Sequence, residues 1–199
     1  MQRSIIALLA TFALALALAG CDAGKPAPKF KSGDITGAEF ARGFTLTDHD
    51  GARRSLADFQ GKAVLLFFGF THCPDVCPTT LARAKLALQQ LGADAGKVRV
   101  LFVSLDPERD TPAVLKGYVT AFDPGFVGLT GTPEEIKQVA QDFRVMYQKS
   151  RVEGQEGYSV DHSTQTYVYD PQGRLRLYVS HTQDVDVLVH DVKLLLAGA

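Results

Sequence analysis

The chain has 199 residues, 46% of them hydrophobic, and a formal net charge of −1. That length supports one full hydrophobic core and little more than one domain. The near balance of charge excludes the basic surface of a nucleic-acid binder and the acidic tail of a solvating segment.

In chain order, the first feature is Ile5 to Ala19, "IIALLATFALALALA", an apolar run broken only by Thr11. Arg3 is the only charge among the first twenty residues. The run is too short for a comfortable bilayer span and ends in small residues, as export signals do. Its last four residues, "LAGC" (Leu18 to Cys21), resemble the bacterial lipobox. The resemblance implies that residues 1–20 are a lipoprotein signal peptide and that Cys21 is lipidated. A plain signal peptide with a chance cysteine, or a short signal anchor, is the alternative. Similarity to bacterial sorting rules makes Asp22 a retention signal, which implies a periplasm-facing lipid anchor on the inner membrane. Several acyl chains on one cysteine anchor a protein stably. Residues 21–40 then read as a flexible tether, rich in Pro, Gly, Lys and Ser with little to bury. Residues 41–199 form the expected folded domain.

"GFTLTDHDGARRSL" predicts an N-terminal β-hairpin around Asp50-Gly51. "KAVLLFFGF" (Lys62 to Phe70) is too continuous in apolar residues for an edge strand and reads as a central strand. Pro78 suits the first position of a helix, and Leu81, Ala84, Leu88 and Leu91 follow at helical spacing. "VRVLFVSLD" (Val98 to Asp106) is a second buried strand. Thr111-Pro112 opens a helix reaching about Phe122. "GFVGLTG" is a short strand or loop. Thr132-Pro133-Glu134-Glu135 opens a further helix with acidic residues at its positive end. "QTYVYD" and "RLRLYVS" form a hairpin about Asp170-Pro171-Gln172-Gly173. The amphipathic "DVDVLVHDVKLLLAG" ends the chain. This order predicts an α/β, thioredoxin-like fold: a central mixed β-sheet flanked by helices.

With Cys21 assigned to lipid, Cys73 and Cys77 are the remaining cysteines of an oxidising compartment. They fall between a strand's carboxyl end and a helix start, where open α/β sheets place their sites. With Cys77 as the N-cap, the helix amides would favour its thiolate. Two soft thiolates suit Cu(I), zinc or redox work, and a third ligand has to decide. His49 reads as solvated surface, His181 and His190 as structural, and His72 as pointing away from Cys73. His162 stands at the start of the C-terminal hairpin, where thioredoxins place a cis-proline facing their cysteines. No proline lies between Pro133 and Pro171, which tilts the site towards metal and makes His162 the candidate third ligand.

"FFGFTHCPDVCPTT" (Phe67 to Thr80), "VSLDPERDTP" (Val103 to Pro112) and "YSVDHS" (Tyr158 to Ser163) together resemble the Sco/SenC family of copper-binding cytochrome c oxidase assembly factors. The resemblance implies one copper per chain, Cu(I) or Cu(II), held by Cys73, Cys77 and His162. It implies a copper chaperone that supplies, or reduces the thiols of, the dinuclear copper (CuA) site of cytochrome c oxidase subunit II. Other periplasmic copper carriers or thiol reductases are further expected partners. Asp75 and Asp161 are candidate outer-shell groups around the metal, while Asp106, Arg109 and Asp110 read as structural.

Two enzyme readings compete. A thiol-disulfide oxidoreductase or redox sensor would use the same redox-active Cys73 and Cys77. A peroxiredoxin requires P-x-x-x-[TS]-x-x-C, and alignment on Cys77 puts Phe70 and Pro74 at the proline and Thr/Ser positions, which excludes it. A structural zinc site needs a fourth ligand that the sequence does not offer. A plain disulfide would leave His162 without a reason.

Overall fold

A computed structural model describes residues 29–151 and 157–199. Cys21 and the proposed signal peptide lie outside the described residues. Ten strands and four α-helices are present among those described. They are β1 (Gly33–Asp34), β2 (Thr45–Asp48), β3 (Arg53–Ser55), β4 (Ala63–Gly69), α1 (Val76–Leu91), β5 (Val98–Ser104), α2 (Pro112–Phe122) and β6 (Val127–Thr130). After them come α3 (Pro133–Asp142), β7 (Tyr147–Ser150), β8 (Ser159–His162), β9 (Thr166–Tyr169), β10 (Leu175–Val179) and α4 (Val185–Leu196).

Eight strands form one mixed sheet in the order β1-β10-β9-β4-β5-β6-β2-β3. β4, β5 and β6 run parallel, whereas β9 is antiparallel to β4. β7 and β8 form a separate two-stranded ribbon. Every residue of β4 is buried, so its apolar run serves two cores by alternation. Val64, Leu66 and Phe68 face Ile136, Val139 and Ala140 of α3. Ala63, Leu65 and Phe67 face α1, α2 and α4 through Leu81, Leu115 and Val192. The thioredoxin-like architecture is present, with helices on both faces of the sheet.

The local signals hold at α2 and α3. Thr111 accepts from Val114 N, and Thr132 forms a reciprocal capping box with Glu135. "GFVGLTG" supplies a true parallel strand. Three expectations are corrected. Helix α1 begins at Val76, with Asp75 as its N-cap, so Pro78 and Cys77 both lie inside its first turn. His49 is not solvated: its ring is 9% exposed and Nδ1 accepts from the amide of Gly128 at 3.0 Å. Residues 30–40, assigned above to the tether, belong instead to the folded domain. β1 adds to the sheet edge on β10, and Phe30 and Ile35 pack against the two cores.

Buried Asp191 of α4 makes that docking specific. Its carboxylate accepts from Lys31 N at 2.9 Å and Ser32 N at 2.8 Å. Burial raises its pKa, but the hydrogen bonds from Lys31, His190 and Ser32 outweigh burial and leave it below the ordinary carboxylate range. A lowered folded-state pKa means stabilisation that is present at neutral pH and lost as pH falls through that pKa. Asp191→Ala should cost about 1–3 kcal/mol at pH 7, because two amides lose their acceptor. Thermal melts should show this deficit shrinking in acid; an equal deficit at every pH would contradict it.

Candidate metal centre

The site sits at the carboxyl end of β4. Beyond Phe70 the chain turns, with Cys73 N donating to Phe70 O at 3.2 Å. Buried Asp110 holds this turn from outside: it accepts from Thr71 N at 2.9 Å, Thr71 Oγ1 at 2.6 Å and Ser104 Oγ at 2.6 Å. β5 ends at Ser104, so the carboxylate ties the cysteine loop to the neighbouring parallel strand. Helix α1 then starts beneath the loop and brings Cys77 back against Gly69. A Cβ at Gly69 would lie 2.5 Å from Cys77 Sγ and 2.8 Å from a Phe102 ring carbon.

Both cysteines are free thiols; Cys77 is buried and Cys73 half-buried. The amide of Cys77, one of the unpaired donors of a helix's first turn, points at Cys73 Sγ over 3.4 Å. The expectation that the helix end favours a Cys77 thiolate is therefore reversed, because the amides serve Cys73. The Cys73 pKa is lowered to about 3, chiefly by the hydrogen bond from the Cys77 thiol and, against burial, by the amides of Asp75 and Cys77. The Cys77 thiol is pushed strongly up by its bond to Cys73, by burial, and by the charges of Cys73 and Asp110. The two sulfurs are thus driven apart, Cys73 towards its thiolate and Cys77 towards keeping its proton.

His162 arrives on β8. Its Nε2 lies 3.6 Å from Cys77 Sγ, and its ring meets Phe70 edge-on at 5.9 Å between centroids. Nδ1 lies 2.8 Å from Ser163 O, which can only accept, so Nδ1 carries the hydrogen and the Nε2 lone pair faces the sulfurs. One ligand atom from each of Cys73, Cys77 and His162 lies within 4.8 Å of the others. Trigonal coordination with metal–sulfur bonds near 2.3 Å needs donors about 4 Å apart, so small shifts close the set. Two soft sulfurs and an imidazole fit copper. No fourth residue joins the group among the described residues, unlike a closed zinc site.

The other candidates fall outside this set. Asp75 is exposed, and its carboxylate pairs with Thr79 Oγ1 at 3.4 Å; its backbone amide, not its charge, supports Cys73. Asp161 is exposed on β8, and strand alternation turns it away from His162; the imidazole's partner is the Ser163 carbonyl instead. His72 is exposed with Nδ1 near Thr71 Oγ1, His181 contacts Thr164, and His190 contacts Asp191. Gly69 and the positioning role of Asp110 were missed from sequence. A buried strand ending in "SLD" and followed by a second aspartate was the available signal.

Comparison with known proteins agrees with this geometry. The SCO1/SenC family model matches residues 33–197. The mitochondrial SCO2 homolog of Bos taurus is 42% identical over 152 residues, 75% of this chain and 57% of that protein. The chain thus spans little more than half of that relative's length. Bradyrhizobium japonicum ScoI, solved with copper bound, is 40% identical with a TM-score of 0.71, covering 77% of this chain and 98% of that one. BsSco, described as a member of the Sco family of cytochrome c oxidase assembly proteins and as containing a disulfide switch, is 27% identical with a TM-score of 0.63, covering 83% and 98%.

Gly69→Ala should destabilise the protein by about 1–3 kcal/mol by overpacking. Denaturant melts, with the Cys77 environment followed by NMR, would contradict the close approach if both stayed at wild-type values. With limiting iodoacetamide, peptide mass spectrometry should find Cys73 labelled first. Its rate should stay flat from pH 8 to pH 5, as the lowered pKa requires, whereas an ordinary thiol titrates near ~8.5. Preferential labelling of Cys77 would overturn the assignment.

Proposed function

Because this chain belongs to the SCO1/SenC family, we propose that it is a copper chaperone holding one copper ion through Cys73, Cys77 and His162. The convergence of the two sulfurs and Nε2 supports this above all. Copper is cargo here. Cys73 offers a ready thiolate, Cys77 gives up its proton on ligation, and His162 presents a fixed lone pair. Binding should therefore release about one proton from the cysteine pair. Formation of a Cys73–Cys77 disulfide would consume both sulfur donors and expel the cargo.

BsSco is described as a member of a family of cytochrome c oxidase assembly proteins, which supports cytochrome c oxidase as the destination; the CuA site of its subunit II is the recipient proposed here. Lipidation of Cys21 would keep the domain at the periplasmic face of the inner membrane and raise the local concentration of a membrane-bound acceptor.

A second reading has its own support. A half-buried thiolate beside a buried, proton-bearing thiol suits thiol-disulfide exchange. Cys73 would attack a partner disulfide to give a mixed disulfide, and Cys77, losing its proton, would resolve it. That leaves two partner thiols and an oxidised Cys73–Cys77 pair.

Anaerobic Cu(I) titration of the reduced protein, with a thiol count, separates the readings. One copper per chain is expected, with none after oxidation. His162→Ala should lower copper affinity by more than the roughly 10–100-fold typical of outer-shell losses, while leaving disulfide exchange intact. Absence of copper binding by the fully reduced wild type would falsify the chaperone reading.

A further inference from the structure

The motifs "VSLDPERDTP" and "YSVDHS" contribute only His162 to the ligand set, yet their remaining residues meet in space. Arg109, on the β5–α2 connection, directs Nε to the carboxylate of fully buried Asp106. Its Nη1 donates to Tyr158 O at 3.0 Å, across 49 residues of chain. The guanidinium carbon also lies 3.8 Å from the centroid of the Tyr158 ring, whose hydroxyl donates to Asp106 at 2.7 Å. The same guanidinium sits 5.9 Å from the Phe70 ring, the ring that meets the His162 imidazole.

We propose that Arg109 is a positioning residue for the metal centre, a latch that joins Asp106 to Tyr158 and so fixes the ribbon carrying His162 against the cysteine loop. The inference rests on the copper reading only for its consequence; the latch itself is a statement about the metal-free protein.

The ribbon needs such a fastening. Among the described residues β7 and β8 pair only with each other, and a two-stranded hairpin alone is marginal in water. Val160 is its one residue buried in the main core. Tyr158 immediately precedes β8, four residues before His162, so a shift there is carried along the strand to the imidazole. Lysine cannot replace Arg109, because a single ammonium cannot meet the carboxylate and the carbonyl in a fixed fork while stacking on the ring. Lys149 Nζ also lies over the Tyr158 ring, 4.7 Å from its centroid, and pairs with Glu108 at 2.8 Å.

The test compares reduced wild type, Arg109→Lys and Asp191→Ala. The last is a control that loosens the fold far from the ribbon. In the metal-free proteins, NMR should show the contact between the His162 and Phe70 rings lost in Arg109→Lys, with the Val160 and His162 amides exchanging at least tenfold faster. Cu(I) affinity should fall about 10–100-fold, the range for outer-shell partners. Asp191→Ala should melt earlier yet keep the ring contact and the affinity. Should Arg109→Lys fail to fold, Tyr158→Leu removes the stacking face and leaves the Asp106–Arg109 pair, and it should give the same loss of contact. Wild-type contact and affinity in these variants would overturn the latch. So would equal losses in Asp191→Ala. A wild type that binds no copper would sink the copper reading alone, since the ring contact still reports on the latch.

Discussion

Cys77 reaches its place only because residue 69 has no side chain. The last residue of β4 is the floor on which the buried sulfur rests, and a single Cβ would overlap both that sulfur and Phe102. This close approach of helix to strand sets the level of α1's first turn. It thereby fixes where that turn's free amides point, and they point at Cys73. Parallel pairing of β4 with β5, residue for residue from Ala63–Val98 to Gly69–Ser104, makes the floor rigid. A site built on strand ends holds its geometry better than one built on loops alone.

The same arrangement makes the two thiols unequal. One loop puts Cys73 at the rim with donors around it, while Cys77 lies beneath, facing a thiolate and the charge of Asp110. Deprotonating Cys77 therefore places a second negative charge in a buried space, which favours capture of a cation. It also favours oxidation to a disulfide, which removes both charges together. The proposed chaperone chemistry and its reductase alternative would both draw on this inequality, and the imidazole would separate them.

The fold was legible wherever burial is complete. The runs of β4 and β5 have no polar interruption, and Thr111-Pro112 and Thr132-Pro133 announce helices through local chemistry. The ribbon was not legible: "YQKS" and "SVDH" have little apolar alternation, and their pairing is decided by the neighbours they meet. His49 looked solvated because "DHDG" is polar, yet the bare amide of Gly128 draws its ring inward. Phe30 to Phe40 looked like tether because its composition is thin, and what orders it is a carboxylate 160 residues away. The three candidate ligands could be picked out as chemistry, but the order of the two cysteines could not. That order depends on whether α1 starts at Val76 or Pro78, and two residues at a helix end lie within the ordinary scatter of such assignments.

The three candidate ligands therefore have different mechanical footing. The sulfurs are four residues apart, and the loop that begins at Thr71 is tied through Asp110 to Ser104 at the end of β5. The imidazole comes from 85 residues beyond Cys77 on a ribbon outside the main sheet. Its tautomer is set locally by Ser163, but its distance from the sulfurs is set by whatever docks the ribbon. That docking combines buried Val160 and partly buried Tyr147 with directional bonds, of which the guanidinium bridge, beside the Tyr158 hydroxyl on Asp106 and the Lys149–Glu108 pair, is the one that also reaches Phe70. A hydrophobic contact tolerates sliding, whereas a forked donor bonded to a carboxylate and a carbonyl does not. Residues that read as merely structural in "DPERD" are thus where the geometry of the third ligand is decided.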